Sequence, residues 1–373
     1  MRLAFVTPRL HGGGAEFVVR RWSSGLRGLG HDVFVYSYDP TQENRVTEEP
    51  LRLRRFPHRS RPARVLLLPL WLRQMAARDE LDVLICVLTF SNLAGVAGLC
   101  LGGRSRTRVV ISERSVMSTA LALNARQSWL KKTLARRLYP LADAALAISH
   151  PVAADLIGGF RLAPAKVHVV PNPVVTNGTA RHDPPDVPRR IHVAFVGRLV
   201  KDKSPLLVLE TLAELRIRGA DVSGTFLGDG PLRSAVAERA VELGIPVRLP
   251  GWREPWWEAA SDVDCVLLPS AIEGFANVLV EAAVVGIPAV ARSGALGVAD
   301  AVIPGVTGEL ASGGTPAELA DAVVAALRPR TAVPLEMWLE RFSDGASTRQ
   351  LVRVLETVAA NGSARTSTAV RPL

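Results

Sequence analysis

Short apolar runs alternate along the chain with longer stretches whose apolar positions recur at helical spacing. "RLAFVTP" is an apolar strand closed by Pro8; a glycine loop, a helical pattern over 15–29 and a second strand, "HDVFVYS", follow it. That order is a βαβ unit. The alternation continues through strands "DVLICVL", "RVVISE", "AALAIS" and "KVHVVPNPV", with a helix over 129–139, and predicts a parallel, doubly wound sheet.

After Val174 the polar, proline-rich "TNGTARHDPPDVPRR" has linker composition. The pattern then restarts with strand "IHVAFVG", helix "SPLLVLETLAELRIRG", and strands "GTFLGDG", "VRLPGW", "DCVLLPS" and "IPAVA", with a helix over 277–285 before the last. The fold class predicted is α/β, with two doubly wound Rossmann-like domains at 1–174 and 190–335 and a linker at 175–189. A helix over 336–360 follows and is a candidate to cross back to the first domain; a disordered tail is expected at 361–373. No close sequence repeat relates the halves.

At 373 residues the chain exceeds the usual limit of ~250–300 for one core, in keeping with two domains. Cys86, Cys100 and Cys265 each sit in apolar runs, which predicts buried free thiols and a reducing cytoplasm. The start has one Arg and a short apolar run before Pro8, so no export leader is expected. Residues 83–102 carry no charge and have the length a bilayer needs. Thr89, Ser91, Asn92, Gly95 and Gly98 interrupt them, which predicts a buried strand, a polar loop and a small-residue helix.

The formal net charge is +10 and the basic residues cluster. Arg52, Arg54, Arg55, Arg59, Arg61 and Arg64 lead into "VLLLPLWLRQM"; Lys131, Lys132, Arg136 and Arg137 form a second group. Beside an exposed apolar helix face such residues would hold the chain on anionic lipid, at roughly 1 kcal/mol per charge. A solvated basic face, with Trp71 and the leucines in the core, is the other reading. No aromatics interleave with the arginines and no reader motif is present, so nucleic acid is not an expected partner.

Candidate chemistry gathers in the second half. "FVGRLVKDKSP" ends a strand at Gly197 and puts Arg198 and Lys203 before a helix with Ser204 at the N-cap and Pro205 at N1. A guanidinium, an ammonium and a helix N-terminus make an anion site, or else two solvated loop charges. "LGDGP" supplies the tight turn at Gly228 and Asp229. In "EGFANVLVE", Glu273 and Gly274 follow a strand, while Asn277 starts a helix carrying Glu281. Ligands of open α/β sheets bind outside the carboxyl ends of the strands, so these groups converge on one crevice. Glu273 is also a candidate general acid or base. Asp262 and Asp264 form a D-x-D read as local capping or solvated acids, and no metal site is predicted. The G-x-G-x-x-G pattern starting at Gly12 fails at Phe17.

"GRLVKDKSP", "GDGP" and "EGFANVLVEAAVVGIPAV" resemble the donor half of family-4 retaining glycosyltransferases, and "GGGAEFVVRRWSSGLRGLGHDVFVYS", "ISERS" and "HVVPNPV" are similar to its first half. The resemblance covers roughly residues 1–345 and implies the GT-B architecture, two domains facing across a cleft. It further implies that Arg198 and Lys203 hold the donor diphosphate, Glu281 the ribose hydroxyls and Glu273 a sugar hydroxyl. Backbone N–H groups at Phe275, Ala276, Asn277 and Val278 would face phosphate or sugar. Gly13, Gly14, Gly197, Gly228, Asp229, Leu249 and Gly274 complete the implied donor set, and a structural turn is the alternative for Gly13 and Gly14. Carboxylates are pure acceptors, suited to neutral hydroxyls, while the basic groups take phosphates.

The resemblance implies transfer with retention, without a cofactor, the leaving phosphate taking the acceptor's proton. Where the family often has a histidine this chain reads "VVISERS", leaving Glu113 or Arg114 as candidates for that contact. Phe17 replaces a residue that is commonly basic. The donor expected is a nucleotide-diphosphate sugar, most naturally a UDP-hexose or UDP-N-acetylhexosamine; the acceptor is a saccharide, lipid-linked or natural-product hydroxyl. The expected location is the cytoplasm or the inner face of its membrane. The rivals are a nucleotide-sugar epimerase of the same architecture and a membrane-surface module without transferase activity.

Overall fold

The computed structural model describes residues 1–10, 13–39, 52–58, 60–101, 105–122, 125–174, 190–328 and 333–367. Gly12, Arg59, the linker expected at 175–189 and residues 368–373 lie outside them. The chain forms two compact units, Met1–Pro173 with Arg341–Leu373, and Val174–Glu340.

The first unit holds a parallel sheet of β1 (Arg2–Thr7), β2 (Asp32–Ser37), β3 (Arg52–Arg55), β4 (Val83–Val87), β5 (Arg108–Glu113), β6 (Ala144–Ala147) and β7 (Val167–Val169). Their order is β3-β2-β1-β4-β5-β6-β7. Ala4 of β1 pairs with Phe34 on one side and Leu84 on the other. Helices cover both faces, so the central strands are buried almost without alternation.

The sequence pattern left β3 among the arginines of the basic cluster. Its arginines have partners inside the molecule: Arg52 pairs with Asp32 at 2.7 Å and Arg54 with Asp79 at 3.1 Å. Both guanidiniums also lie over the Phe34 ring, at 5.5 and 5.7 Å. Two of the cluster's arginines therefore support an edge strand. Helix Arg61–Arg78 follows, with Ser60 Oγ accepting from Ala63 N at its start. Leu68 and Leu72 are buried, and Trp71 packs edge-on against Tyr36 and Phe56. Leu66 and Leu70 lie on the opposite side of the helix, 70 and 64% exposed, and Val65, in its first turns, is 60% exposed. Leu68, Trp71 and Leu72 thus pack inward, while Leu66 and Leu70 face outward.

The uncharged stretch 83–102 divides into β4, helix Thr89–Val96 and a π-helical turn, Ala97–Leu101. The expected polar loop is absent because Leu88, at φ 76°, turns the chain directly into the helix. No helix among the described residues is long and apolar enough to cross a membrane.

The last helix, Asp344–Ser367, packs on the first unit through Leu351, Val354, Leu355 and Val358. Trp22 Nε1 donates to Ser347 Oγ at 2.8 Å, and that hydroxyl donates to Pro171 O at 2.6 Å. The helix continues through residues 361–367, where the sequence pattern places a disordered tail; small and polar residues there do not break its backbone hydrogen bonding.

The second unit holds β8 (Ile191–Val196), β9 (Val222–Leu227), β10 (Val247–Gly251), β11 (Cys265–Leu268), β12 (Ala289–Arg292) and β13 (Gly308–Ala311), all parallel, in the order β10-β9-β8-β11-β12-β13. Phe195, Leu209, Phe226, Leu267, Val290, Leu319 and Val323 fill its core. β13 lacks an apolar run and escapes the sequence pattern; it pairs with β12 at the edge.

Candidate functional site

Successive crossovers take β8 to β9 and β10 on one side of the second sheet, and β11 then lies on the other side of β8. That reversal is the switch point at which open α/β sheets receive ligands. Arg198 and Lys203 lie in the loop after β8, Gly228 and Asp229 follow β9, and Glu273 and Gly274 lie in the loop after β11. Backbone hydrogen bonds tie these loops together: Leu199 N to Asp229 O, Gly228 N to Gly251 O, and Ala271 N to Asp202 O, at 2.9–3.0 Å.

Gly228 has φ +155°, and a Cβ there would run into the Gly197 carbonyl. Glycine is what lets the two loops approach each other. Asp229 Oδ1 accepts from Gly230 N at 2.8 Å, which fixes the turn. Leu249 lies within β10, its carbonyl accepting from Arg233 at 2.6 Å.

Arg198 is exposed, and its guanidinium has no partner among the described residues. Lys203 differs: its Nζ donates to Glu273 Oε1, with the two side chains 22% and 8% exposed. Ser204 occupies the N-cap position but adopts a left-handed conformation at φ 50°, and its hydroxyl turns back to Lys201 O. No side chain caps the first turn of helix Pro205–Ile217.

The "EGFANVLVE" loop is also strained, with Ala276 at φ 68° as the uncapped start of helix Asn277–Val284. Such strain concentrates where surroundings over-determine the backbone. Here the turn Ser293–Ala295 and Leu296 support it: Glu273 N donates to Ala295 O at 3.3 Å, and Gly297 packs against the Gly274 backbone. Phe275 is a core side chain, so any part it plays toward a ligand is through its backbone.

Glu281, on that helix, receives the indole N–H of Trp256 on Oε2 at 2.7 Å. Burial raises its carboxyl to about 7; the Trp256 hydrogen bond works against the rise and the nearby Glu254 charge adds to it. Sequence reasoning missed Trp256 and the turn at 293–297. "REPWWEAA" shows two indoles, but nothing in it says which of them meets Glu281.

Gly13 and Gly14 belong to the first unit, where Gly14 opens helix Gly14–Gly28. A Cβ on Gly13 would meet Glu16 Oε2 at 2.6 Å, and Gly14 faces open space. Glu113 is 2% exposed, and its carboxylate accepts from Tyr139 Oη, from Asn92 Nδ2 at 2.9 Å and from Thr89 Oγ1 at 3.4 Å, so in this structure it is engaged by interior partners. Burial pushes its carboxyl above the usual range. Arg114 lies over the Trp22 ring at 5.5 Å and donates to Asn172, while its Nη1 is buried without a hydrogen-bond partner among the described residues.

Asp264 Oδ2 accepts from His192 N at 2.7 Å and Asp262 pairs with Arg248 at 2.7 Å, so both acids of the D-x-D have structural partners. Among the described residues no His, Cys, Asp and Glu side chains group as a metal set.

The family model Glycosyltransferase Family 4 matches residues 12–177, and Glycosyl transferases group 1 matches residues 190–328. A Campylobacter jejuni N-acetylgalactosamine-N,N'-diacetylbacillosaminyl-diphospho-undecaprenol 4-alpha-N-acetylgalactosaminyltransferase is 28% identical over 180 residues, 48% of each chain. The chain spans about half or less of the length of the first curated relatives it matches. Among solved structures, the lipopolysaccharide outer core galactosyltransferase WaaB superposes with a TM-score of 0.76 at 21% identity, covering 96% of this chain and 99% of that one. Anabaena HepE, solved with UDP-glucose, gives 0.68 at 18% identity over 99% and 100%. These two likenesses concern the fold, which is the GT-B arrangement of two parallel sheets with interleaved helices.

Proposed function

Since the chain belongs to the group 1 glycosyltransferases, with a family-4 first half, we propose that it moves a hexose or N-acetylhexosamine from a nucleotide-diphosphate sugar to an acceptor hydroxyl with retention. The observation that carries this reading is the set of groups at the switch point: the unpartnered Arg198, the Lys203–Glu273 pair and the oriented Glu281. Transfer builds negative charge on the departing phosphate. A cation ~4 Å away at an effective dielectric of about 20 contributes on the order of 4 kcal/mol, and Arg198 and Lys203 supply that charge. Glu273 takes a sugar hydroxyl, Glu281 the ribose hydroxyls, and the leaving phosphate accepts the proton of the attacking hydroxyl on the same face. UDP is the nucleotide proposed, supported by the HepE complex.

The acceptor proposed is lipid-linked. Val65, Leu66 and Leu70 stand exposed on the first-unit helix that opens with Arg61, and Trp129 and Leu130 are 68% and 51% exposed beside Lys131 and Lys132. Apolar side chains flanked by cations suit the interface of an anionic membrane. The undecaprenol-linked acceptor named for the C. jejuni relative supports the same choice.

The test is thermal unfolding with EDTA present and UDP, GDP, ADP or TDP added, for the native chain and Glu281→Ala. A nucleotide at ~100 times its dissociation constant adds about 2.7 kcal/mol. A shift with one nucleotide, lost in Glu281→Ala, is the expected result. No shift with any of the four sinks the assignment.

A further inference from the structure

Glu281 has two carboxylate oxygens, and they are treated differently. Oε2 is held by Trp256 Nε1 at 2.7 Å, whereas Oε1 has no hydrogen bond among the described residues. Trp256 is itself fixed: it is 5% exposed and packs edge-on against Trp257, with ring centroids 5.9 Å apart. It comes from the short turn Trp256–Ala259 between β10 and β11, while Glu281 comes from the helix after β11. An indole offers one donor in one direction and no acceptor, so it orients a carboxylate without competing for a hydroxyl.

Resting on the donor-site reading above, we propose that Trp256 is a positioning residue. It clamps Oε2 of Glu281 so that Oε1 faces the ribose hydroxyls. Burial and the charge of Glu254 raise the Glu281 carboxyl to about 7, and the Trp256 hydrogen bond is the interaction that opposes them. Among the described residues Glu254 is the charged group that acts on this carboxylate. A proton on Glu281 removes an acceptor, so nucleotide affinity should rise as pH increases through about 7. Removing the indole donor should displace that rise to higher pH.

The experiment measures the dissociation constants of UDP and 2′-deoxy-UDP calorimetrically from pH 5.5 to 9, for the native chain, Trp256→Phe and Glu281→Gln. In Trp256→Phe the expected result is about tenfold weaker UDP binding at neutral pH, recovery toward alkaline pH, and reduced preference for UDP over its 2′-deoxy analogue. Glu281→Gln, which has no proton to lose there, should bind weakly and show only the pH dependence that ionisation of the UDP phosphate itself brings. Native affinity, midpoint and ribose preference in Trp256→Phe would overturn the proposal and leave the indole a packing residue. Should Trp256→Phe fail to fold, the native and Glu281→Gln profiles decide, and a native profile with the same pH dependence as that of the glutamine variant overturns it. A native chain that binds no UDP at any pH defeats the donor-site reading itself.

Discussion

Lys203 Nζ donates to Glu273 Oε1, joining the loop after β8 to the loop after β11 across the switch point of the second sheet. The two residues proposed to receive phosphate and sugar hydroxyl are thus partners of each other in the free protein. A donor that engages both must draw on this pair, so its strength enters both stability and affinity.

Lys203→Ala leaves the Glu273 carboxylate, 8% exposed, without its cation. We expect a loss of roughly 1.5–3 kcal/mol, the range for a hydrogen bond to a charged group. Lys203→Ala with Glu273→Gln should recover part of it. Urea midpoints of the two singles and the double give the coupling energy, and a coupling near zero would show that the pair is incidental.

The Arg198 side chain has no partner among the described residues, so Arg198→Ala should leave stability within about 0.5 kcal/mol of native. Its loss should lower transfer by ~10²-fold or more, as when a preorganised donor to a developing anion is removed. Thermal unfolding and a steady-state assay with the donor that the nucleotide series selects check both halves. A stability loss as large as that of Lys203→Ala would mean that the guanidinium has a structural partner after all.

The Glu281 carboxyl is raised from 4.5 to about 7 in the folded chain. A group whose folded pKa exceeds its unfolded value contributes stability fully below the unfolded pKa, and this contribution fades as pH rises through the folded one. Between pH 4.5 and 7 the ligand-free protein should therefore lose on the order of 3 kcal/mol from this group, since one unit corresponds to about 1.4 kcal/mol. Glu281→Gln should lack that slope. Denaturant midpoints at pH 5 and pH 8 for both proteins supply the comparison.

Leu66 and Leu70 are 70% and 64% exposed, so Leu66→Glu with Leu70→Glu should leave the fold intact. Co-sedimentation with vesicles containing anionic phosphatidylglycerol should fall several-fold. Equal binding by the variant, or binding by the native chain that ignores lipid charge, would count against a membrane-facing role.

The pattern of apolar runs was enough for two parallel sheets, because a strand buried on both faces must be apolar throughout. It failed at β3 and β13, edge strands held by partners outside their own sequence: Asp32 and Asp79 for Arg52 and Arg54, and β12 for Gly308–Ala311. Read as bare charge, the arginines of 52–55 looked available to a membrane; two of them are engaged inside the unit.

By itself the sequence determined the fold class and the residue types at the crevice, since periodicity and turn chemistry are local properties of the chain. Only the tertiary structure decided which of these groups are engaged. Arg198 is left open, Lys203 is paired with Glu273, Glu113 is enclosed by Tyr139 and Asn92, and Glu281 is oriented by Trp256. The physical reason is that hydrogen bonding and desolvation depend on neighbours brought together by folding, 70 residues apart for Lys203 and Glu273 and 25 apart for Trp256 and Glu281, and no local pattern encodes such a meeting.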